Sequence, residues 1–274
     1  MKAVQLNSQI KSALLTMFEQ SGAFALADEL KRRGGSVSIC AGAVRDTIAA
    51  HEVGIAYGGP RDIDIGIGSI SRSEFDGIMR EFGASPNRYG GYRLIRTGKC
   101  DLEFWRLEET VGLKKTHLKR TIQNVLRSFV LNCNAISFDP FSEICIDGGA
   151  HDAIRKRQLD FVNNAIIHSE DLFASKAVVL CFRHHFALSA DVQTFVIRNW
   201  TESCLRHELE KSLSEELRSR IFKYYFHVGF DHEYRWLSKA NIPFMDILRS
   251  LQPSEKRDKI MERTRTGRLN AQDE

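Results

Sequence analysis

Two aspartates stand two positions apart in a short run of the chain, with isoleucines between and after them. Asp62 and Asp64 belong to the run Pro-Arg-Asp-Ile-Asp-Ile-Gly at residues 60–66. Alternation with β-branched residues predicts a strand, and residues two apart on a strand project from the same face. Two adjacent carboxylates repel each other unless a cation lies between them, and a Mg²⁺-type ion prefers such oxygen ligands. The pair therefore indicates a metal site, with two solvated acids on a strand as the alternative.

Small residues earlier in the chain connect a predicted strand to a predicted helix. The run Ala-Gly-Ala-Val-Arg-Asp occupies residues 41–46. Backbone N–H groups at a helix N-terminus bind phosphate, and small residues such as Gly42 and Ala43 let a ligand come close. Arg45 would add a charge-assisted contact to a phosphate, and Asp46 would brace the turn by hydrogen bonding. The alternative is an ordinary strand–helix turn with both charged side chains at the surface.

A third acid follows on a later predicted strand. Residues 92–96 and 100–106 read as two strands of a hairpin around residues 97–99. Asp101 and Glu103 share one face of the second strand, and strand acids commonly face solvent. A third carboxylate on a neighbouring strand is, however, what a two-metal phosphoryl-transfer site requires. Asp101 is the candidate, and Glu103 is the alternative.

A basic cluster follows the acidic strands. Residues 113–121 contain Lys114, Lys115, Lys119 and Arg120 and no acid. Such a cluster can line a nucleic-acid path, because it neutralises phosphates. The alternative is a solvated surface loop.

Composition narrows the class of protein. The 274 residues carry a formal net charge of +4 with 43% hydrophobic and 27% charged residues, proportions typical of soluble globular proteins. A mild positive charge permits an anionic partner without requiring one. The six cysteines form no Cys-x-x-Cys pair and the histidines lack zinc-ligand spacing, so we expect reduced thiols and no structural zinc. We see no membrane-spanning apolar run and no signal-peptide core, so the expected location is the cytoplasm, without a membrane partner.

The residue composition and the hydrophobic periodicity of the chain change near residue 165. Glycine-containing strand patterns dominate residues 1–165, whereas residues 166–264 have helical periodicity and few glycines. We therefore predict an α+β fold, in which a small mixed β-sheet backed by helices is followed by an all-α domain. Residues 265–274 form a polar tail. The predicted helices after the boundary span 170–188, 190–200, 203–213, 215–228, 231–239, 243–250 and 254–264.

Five motifs in order resemble the head domain of one enzyme family. Residues 41–46 resemble the Gly-Gly-x-Val-Arg-Asp turn, and residues 60–65 the Pro-Lys-Asp-Ile-Asp-Ile strand, of the class II poly(A) polymerase and tRNA CCA-adding nucleotidyltransferase family. Residues 101–106 resemble its later strand, which carries an acid and, five residues on, an arginine. Residues 134–139 resemble its Asn-Ala-Leu-Ala-Tyr-Asp segment, and residues 147–152 the close of its head domain. Any one of these motifs is weak evidence, but five in order are strong.

The resemblance implies a nucleotidyltransferase head of the DNA polymerase β-like superfamily. Its activity would be metal-dependent transfer of a nucleoside monophosphate from an NTP, with ATP or CTP favoured, to an acceptor hydroxyl. Two Mg²⁺ ions, or Mn²⁺ in their place, would be held by Asp62, Asp64 and Asp101 as metal ligands and catalytic residues. Gly42, Ala43 and Arg45 would bind the nucleotide phosphates. The further nucleotide contacts it implies are Arg106, Asn134 and Asp171.

This chain departs from the family where the nucleotide is read. The family's Arg-Arg-Asp-Phe-Thr-x-Asn segment falls on residues 128–134, where only Asn134 is retained. The family's nucleotide-reading helix begins with Glu-Asp, matched here by Glu170 and Asp171, and then carries three arginines. Those arginine positions are occupied here by Ala174, Ala177 and Leu180. Lys176 or Arg183 would have to substitute for them.

The acceptor consequently stays open among three hypotheses. An RNA 3′ end is favoured by the family resemblance and by the basic cluster. A hydroxyl of a small molecule or protein is favoured by the short helical part and the missing arginines. The third hypothesis is a module that binds nucleotide or RNA without turnover. Nothing in the sequence indicates an oligomeric state.

Overall fold

Eight strands in the described residues form one mixed sheet. The protein is seen as a computed structural model that describes residues 1–55, 58–95, 100–114, 118–165, 167, 169–184, 186–201, 203–205 and 207–208. The order across the sheet is β1-β8-β7-β2-β3-β6-β5-β4, and neighbours are antiparallel except for the parallel pair β3 and β6. The strands are β1 (Lys2–Val4), β2 (Ser36–Cys40), β3 (Asp62–Gly68), β4 (Ser85–Pro86), β5 (Tyr92–Leu94), β6 (Asp101–Arg106), β7 (Ile136–Phe138) and β8 (Cys145–Asp147).

Side-chain capping defines where several helices begin. Asn7 accepts the amide of Ile10 at the start of α1, and Ser71 forms a capping box with Glu74 at the start of α4. At the start of α6, Asp147 accepts three successive backbone amides. The helices are α1 (Ser8–Gln20), α2 (Phe24–Arg32), α3 (Gly42–Val53), α4 (Arg72–Glu81), α5 (Ile122–Arg127), α6 (Ala150–Lys156), α7 (Glu170–His184) and α8 (Ala190–Asn199). None of these described helices is long and apolar enough to cross a membrane.

The two faces of the sheet differ in chemistry because side chains alternate along each strand. One face is apolar and buried, and its side chains are Val37, Ile39, Ile63, Ile65, Ile67, Leu102, Phe104, Ile136 and Phe138. Helix α3 contacts β2, β3 and β7, and α2 contacts β2. The other face is polar or small, and its residues are Ser36, Ser38, Cys40, Asp62, Asp64, Gly66, Gly68, Asp101, Glu103 and Trp105. The acids predicted from the sequence to bind metal are found on this second face.

The chain divides into two compact units. The first comprises Met1–Lys156 and Asp160–Ile166, and the second comprises Arg157–Leu159 and the described residues from Ile167 onward. The α+β class predicted from the sequence is confirmed. The predicted domain limits at residues 165 and 264 stay a prediction, since residues 209–274 lie outside the described part of the chain.

The second unit contains a pair of two-residue strands, of which the first overlaps at Leu159 the short strand that the sequence predicts over residues 159–162, and the second replaces the end of a predicted helix. Strand β9 (Gln158–Leu159) runs parallel to β10 (Ala187–Leu188). The amide of Ala187 donates to the carbonyl of Arg157, and that of Ser189 donates to the carbonyl of Leu159. The helix predicted over 170–188 therefore ends earlier, as α7, because the chain after it is hydrogen-bonded as a strand.

Candidate active site

The register of β3 and β6 places four carboxylates on one patch of the sheet. Asp62 lies opposite Asp101, and Asp64 lies opposite Glu103. Because partners in a parallel pair project from the same face and neighbouring strands lie about 4.8 Å apart, the four side chains form a compact array. We call these four residues the acidic patch. It lies where both strands begin.

The predicted phosphate turn lies beside the acidic patch. In the antiparallel pair of β2 and β3, Cys40 is opposite Asp64. Strand β2 ends at Cys40 and α3 begins at Gly42, so the helix N-terminus follows within two residues. The first amides of α3 are therefore next to the start of β3. The structure thus brings together the turn and the aspartates that the sequence singles out separately.

Ala41 links β2 to α3 in a conformation that favours glycine. Its φ is +51° and its ψ is −113°, a region where the Cβ atom of an L-residue crowds the backbone. Its amide donates to the carbonyl of Ile136 at 2.9 Å, which ties the turn to strand β7. The family resemblance places a glycine at this position, and the geometry explains why.

Arg45 lies behind the turn, where hydrogen bonds to Asp46 and Asn134 hold its guanidinium. Its side chain is 7% exposed, and its Nε donates to Oδ1 of Asp46 at 2.7 Å. Its Nη1 donates to Oδ1 of Asn134. Burial opposes the charged guanidinium, but the Asp46 carboxylate outweighs burial, so the pKa of Arg45 is raised. Arg45 thus stays a cation beneath the N-terminus of α3, 3.7 Å from where a Cβ on Gly42 would lie.

Two arginines pair with members of the acidic patch. Arg61 Nη2 lies 2.6 Å from Oδ2 of Asp62. Arg93, on β5, lies opposite Glu103 in the sheet register, and its Nη2 is 2.5 Å from Oδ2 of Asp101. The sequence does not single out Arg93, because the β5–β6 register that brings it to the patch follows from the hairpin and not from residue type.

The acidic patch suits a hard divalent cation in donor type and placement. Mg²⁺ takes carboxylate oxygens and keeps room for water and phosphate ligands, and Asp62, Asp64 and Asp101 present such oxygens on one face. The carboxylates of Asp62 and Asp101 are turned toward arginines. Within the described residues, no three acidic, histidine or cysteine side chains converge on a single point. A cation shared by these residues would require the two paired carboxylates to rotate.

Solved structures with a similar fold bind nucleotides or tRNA. A CCA-adding enzyme in complex with ATP matches with a TM-score of 0.57 and 15% identity, covering 96% of this chain and 70% of that one. The Bacillus stearothermophilus CCA-adding enzyme with CTP matches with a TM-score of 0.53 and 22% identity, over 74% and 50%. The Thermotoga maritima enzyme complexed with tRNA matches with a TM-score of 0.52 and 15% identity, over 94% and 67%. This chain has the fold of the CCA-adding enzymes.

The likeness rests on structure, since no protein-family model and no curated protein sequence matches the chain. The chain spans between 50% and 70% of the length of these three CCA-adding enzymes. At identities of 15% to 22% the likeness establishes the fold, which is the one that the five motifs predict.

Arg106 is not brought to the acidic patch. It is paired with Ile67 of β3 in the sheet register. Because side chains alternate along β6, Arg106 and Asp101 project from different faces of the sheet. The Arg106 guanidinium lies 3.2 Å from Glu109 and 3.5 Å from Glu108. Arg106 thus forms a local ion-pair group at the end of β6, and the nucleotide contact that the resemblance implies for it stays a prediction.

Asp171 lies in the first turn of α7, in the second unit, and accepts local hydrogen bonds there. Its Oδ1 accepts the Ser169 hydroxyl at 2.6 Å and the Leu172 amide at 2.8 Å. These two hydrogen bonds lower the pKa of Asp171. The three positions of this helix where the family resemblance places arginines are buried, with Ala174 0%, Ala177 2% and Leu180 8% exposed. That helix face therefore presents an apolar surface, and Lys176 is exposed elsewhere, with its Nζ 6.0 Å from the Phe173 ring.

The basic cluster is partly described. Lys114 and Lys119 are exposed, whereas Lys115 lies outside the described residues. The carbonyl of Lys119 accepts the side-chain amide of Asn124 at 2.9 Å, and Arg120 donates to the carbonyl of Leu118. Local backbone contacts thus fix Lys119 and Arg120 just before α5, with the Lys119 side chain at the surface.

Proposed function

We propose that this protein is a metal-dependent nucleotidyltransferase that transfers a nucleoside monophosphate from ATP or CTP to the 3′ end of an RNA. The observation that carries the proposal is the strand register that puts Asp62, Asp64 and Asp101 on one face. The neighbouring register of β2 and β3 puts them beside the N-terminus of α3. The fold shared with enzymes solved in complex with CTP, ATP and tRNA supports it.

The position of each residue in the phosphate turn or the acidic patch indicates its proposed role in catalysis. The amides of Gly42 and Ala43 would bind the β- and γ-phosphates of the NTP, with the buried charge of Arg45 behind them. Asp46 and Asn134 hold that guanidinium in place. Asp62 and Asp64 would hold the Mg²⁺ or Mn²⁺ ions, and Asp101 would complete the site and orient the attacking hydroxyl.

The reaction would be an in-line displacement at the α-phosphorus. The acceptor hydroxyl gives up its proton to water as its oxygen forms the new O–P bond, the bond from the α-phosphorus to the bridging oxygen breaks, and pyrophosphate leaves. Divalent cations at the patch would stabilise charge on the entering and leaving oxygens. The carboxylates take no covalent part, so their contribution is to place charge and orient the hydroxyl.

An RNA acceptor is supported by charge as well as by fold. Lys114 and Lys119 are exposed in the described part of the basic cluster. Exposed lysines attract a phosphate backbone. Each lysine–phosphate contact adds to the affinity and makes the affinity fall more steeply as the salt concentration rises.

A hydroxyl of a small molecule or protein is the second candidate acceptor. The observation that favours it is the buried apolar face formed by Ala174, Ala177 and Leu180 on α7. A face without arginines offers no donors for reading a base, so a nucleotide-selecting site of the kind implied by the resemblance is incomplete there.

A transfer assay tests both acceptors. The full chain is incubated with Mg²⁺, each α-labelled NTP in turn, and either tRNA or a fractionated cell extract. Label that enters RNA supports the first acceptor, and label that enters protein or small molecules supports the second. Asp62→Asn and Asp64→Asn should each lower transfer by about 100-fold or more, since several kcal/mol of charge stabilisation are lost.

The matched control is Asp152→Asn, an exposed acid on α6 that pairs with Lys156 and should leave transfer unchanged. Absence of transfer with every NTP would exclude both enzymatic functions if Asp62→Asn also matched the wild type in metal-dependent nucleotide binding. In that case a non-catalytic binding module would be the remaining function.

A further inference from the structure

Arg93 reaches two members of the acidic patch from the neighbouring strand. In the antiparallel pair of β5 and β6 it lies directly opposite Glu103. Its Nη2 lies 2.5 Å from Oδ2 of Asp101, and its Nε lies 3.9 Å from Oε1 of Glu103. One guanidinium therefore bridges two carboxylates on the same face of the sheet.

The positive charge of Arg93 also interacts with a carboxylate on β3, the other strand of the acidic patch. The hydrogen bond to Asp101 raises the pKa of Arg93, and the charges of Asp101, Glu103 and Asp62 add to this effect. Asp62 is the residue opposite Asp101 on β3. The guanidinium thus lies in the field of carboxylates from both β3 and β6.

The backbone beneath Arg93 is held close to β6, whereas its side chain is not enclosed. A Cβ on Gly91, two residues earlier, would overlap the carbonyl oxygen of Phe104, so the strands approach closely there. Tyr92 packs edge-on against Phe75 with ring centroids 5.6 Å apart. The Arg93 side chain is 46% exposed, so it can leave the patch while its backbone stays in the sheet.

We propose that Arg93 is a resident cation of the acidic patch that competes with a divalent metal ion for Asp101. The proposal rests on the proposed function for the role of Asp101 as a metal ligand. Oδ2 of Asp101 is the atom that Arg93 contacts, and the same lone pairs cannot serve a guanidinium and a metal ion at full strength. Arg93 thereby sets the metal concentration at which the site fills, and metal binding frees its guanidinium.

Removing the charge of Arg93 should strengthen metal binding. Arg93→Met keeps much of the side-chain length and removes the guanidinium. We expect the affinity for Mn²⁺ to rise about two- to fivefold, which corresponds to an exposed ion pair of about 0.4–1 kcal/mol. Arg93→Lys keeps a point charge near Asp101 and should bind Mn²⁺ with an affinity close to that of the wild type.

Calorimetric titration with Mn²⁺ alone measures this without any nucleotide. The matched control is Arg72→Met, because Arg72 also bridges two acids, Asp76 and Glu109, but away from the patch. The control should bind like the wild type. Equal affinities for wild type and Arg93→Met, or no Mn²⁺ binding by either, would overturn the proposal, whereas binding by Arg93→Met alone would support it.

A second measurement uses the wild-type chain, so it does not depend on whether a variant folds. Mg²⁺ is titrated while the Nε–Hε signals of arginines are followed by NMR. The Arg93 signal should move along the metal-binding curve and the Arg72 signal should stay in place. An Arg93 signal unmoved by Mg²⁺ would refute the competition. If transfer is absent and Asp62→Asn matches the wild type in nucleotide binding while these shifts are seen, the proposed function fails and the competition stands.

Discussion

Alanine at position 41 carries backbone strain at the point where the phosphate turn begins. Its positive φ is held by the hydrogen bond from its amide to Ile136 and by the α-helix that starts at the next residue. Non-glycine residues in such regions cost about 1–3 kcal/mol and persist where the surroundings fix them. The strain therefore lies next to the amides proposed to receive the nucleotide.

Ala41→Gly should stabilise the protein. Relief of about 1–3 kcal/mol of strain is offset by about 0.5–1 kcal/mol of added chain entropy, which leaves a net gain of about 1 kcal/mol. Urea unfolding followed by circular dichroism measures the change. Ala43→Gly, in the first turn of α3, is the control and should lose about 1 kcal/mol because its backbone is helical.

The opposite order of stability for the two variants would show that the Ala41 backbone is not strained in solution.

The acids of the patch and the turn were visible from residue type and spacing, whereas Arg93 was not. Alternation predicts that Asp62 and Asp64 share a face, and the same holds for Asp101 and Glu103. The strand pairing that joins these two sets is non-local, so no short-range pattern specifies it. The placement of Arg106 on the opposite face also follows from alternation within β6, once the strand is known to extend through residue 106.

At the scale of elements, the close contact between β5 and β6 decides whether Arg93 meets the patch. Gly91 precedes β5, and its amide donates to Oδ1 of Asn87 at 3.0 Å. A side chain at this position would meet backbone and not a flexible side-chain end, because the nearest atom is the carbonyl oxygen of Phe104. The glycine is therefore required by the space between the strands.

Gly91→Ala should destabilise the protein by about 3 kcal/mol and loosen β5 from β6, since overpacking against backbone cannot be relieved by a rotamer change. Thermal unfolding and hydrogen exchange at β6 amides measure the two effects. The control is Gly77→Ala within α4, where the new methyl group would have nothing within 4 Å. It should gain about 0.5–1 kcal/mol from helix propensity.

An unchanged melting temperature and unchanged exchange in Gly91→Ala would contradict the tight β5–β6 approach.

The sequence predicts the longer elements more closely than the shortest ones. Residues 8–33 have helical periodicity interrupted at Gly22, and the structure has α1 and α2 on either side of it. Strand β1, of three residues, and β10, of two, are too short for periodicity to register. The sequence predicts a short strand over residues 159–162, and β9 overlaps it only at Leu159. The pairing of these short strands is set by partners far along the chain, as when β1 pairs with β8.

At the scale of the whole molecule, the chain alternates between the two units in the stretch that follows Lys156. Residues 160–166 belong to the first unit, where the amide of Val162 donates to the carbonyl of Val130. Arg157–Leu159, immediately before them, belong to the second unit through β9. A cut at residue 165, the boundary predicted from composition, would therefore separate β9 from its partner β10.

A fragment of residues 1–165 should fold but expose the β9 segment to protease. The sheet and its buried face lie within residues that the fragment keeps, whereas β9 loses the hydrogen bonds from Ala187 and Ser189. Trypsin should cleave the fragment after Arg157 at least about tenfold faster than the full chain, because local opening becomes easy. Fragment 1–200, which restores β10, is the control and should be protected.

Equal cleavage rates for the two fragments would mean that β9 is held by something other than β10.

The β9–β10 pair also sets an order of events during synthesis. Leu159 is fully buried in the finished protein, yet the strand that pairs with it emerges from the ribosome about 28 residues later. At about 5–20 residues per second, this apolar side chain waits for roughly 1–6 seconds without its partner strand. The stretch just after it can meanwhile pair with residues 130–131 of the first unit, because those partners are already synthesised. A nascent chain paused in this interval would expose a site that a chaperone can recognise, at the junction of a finished unit and an unfinished one.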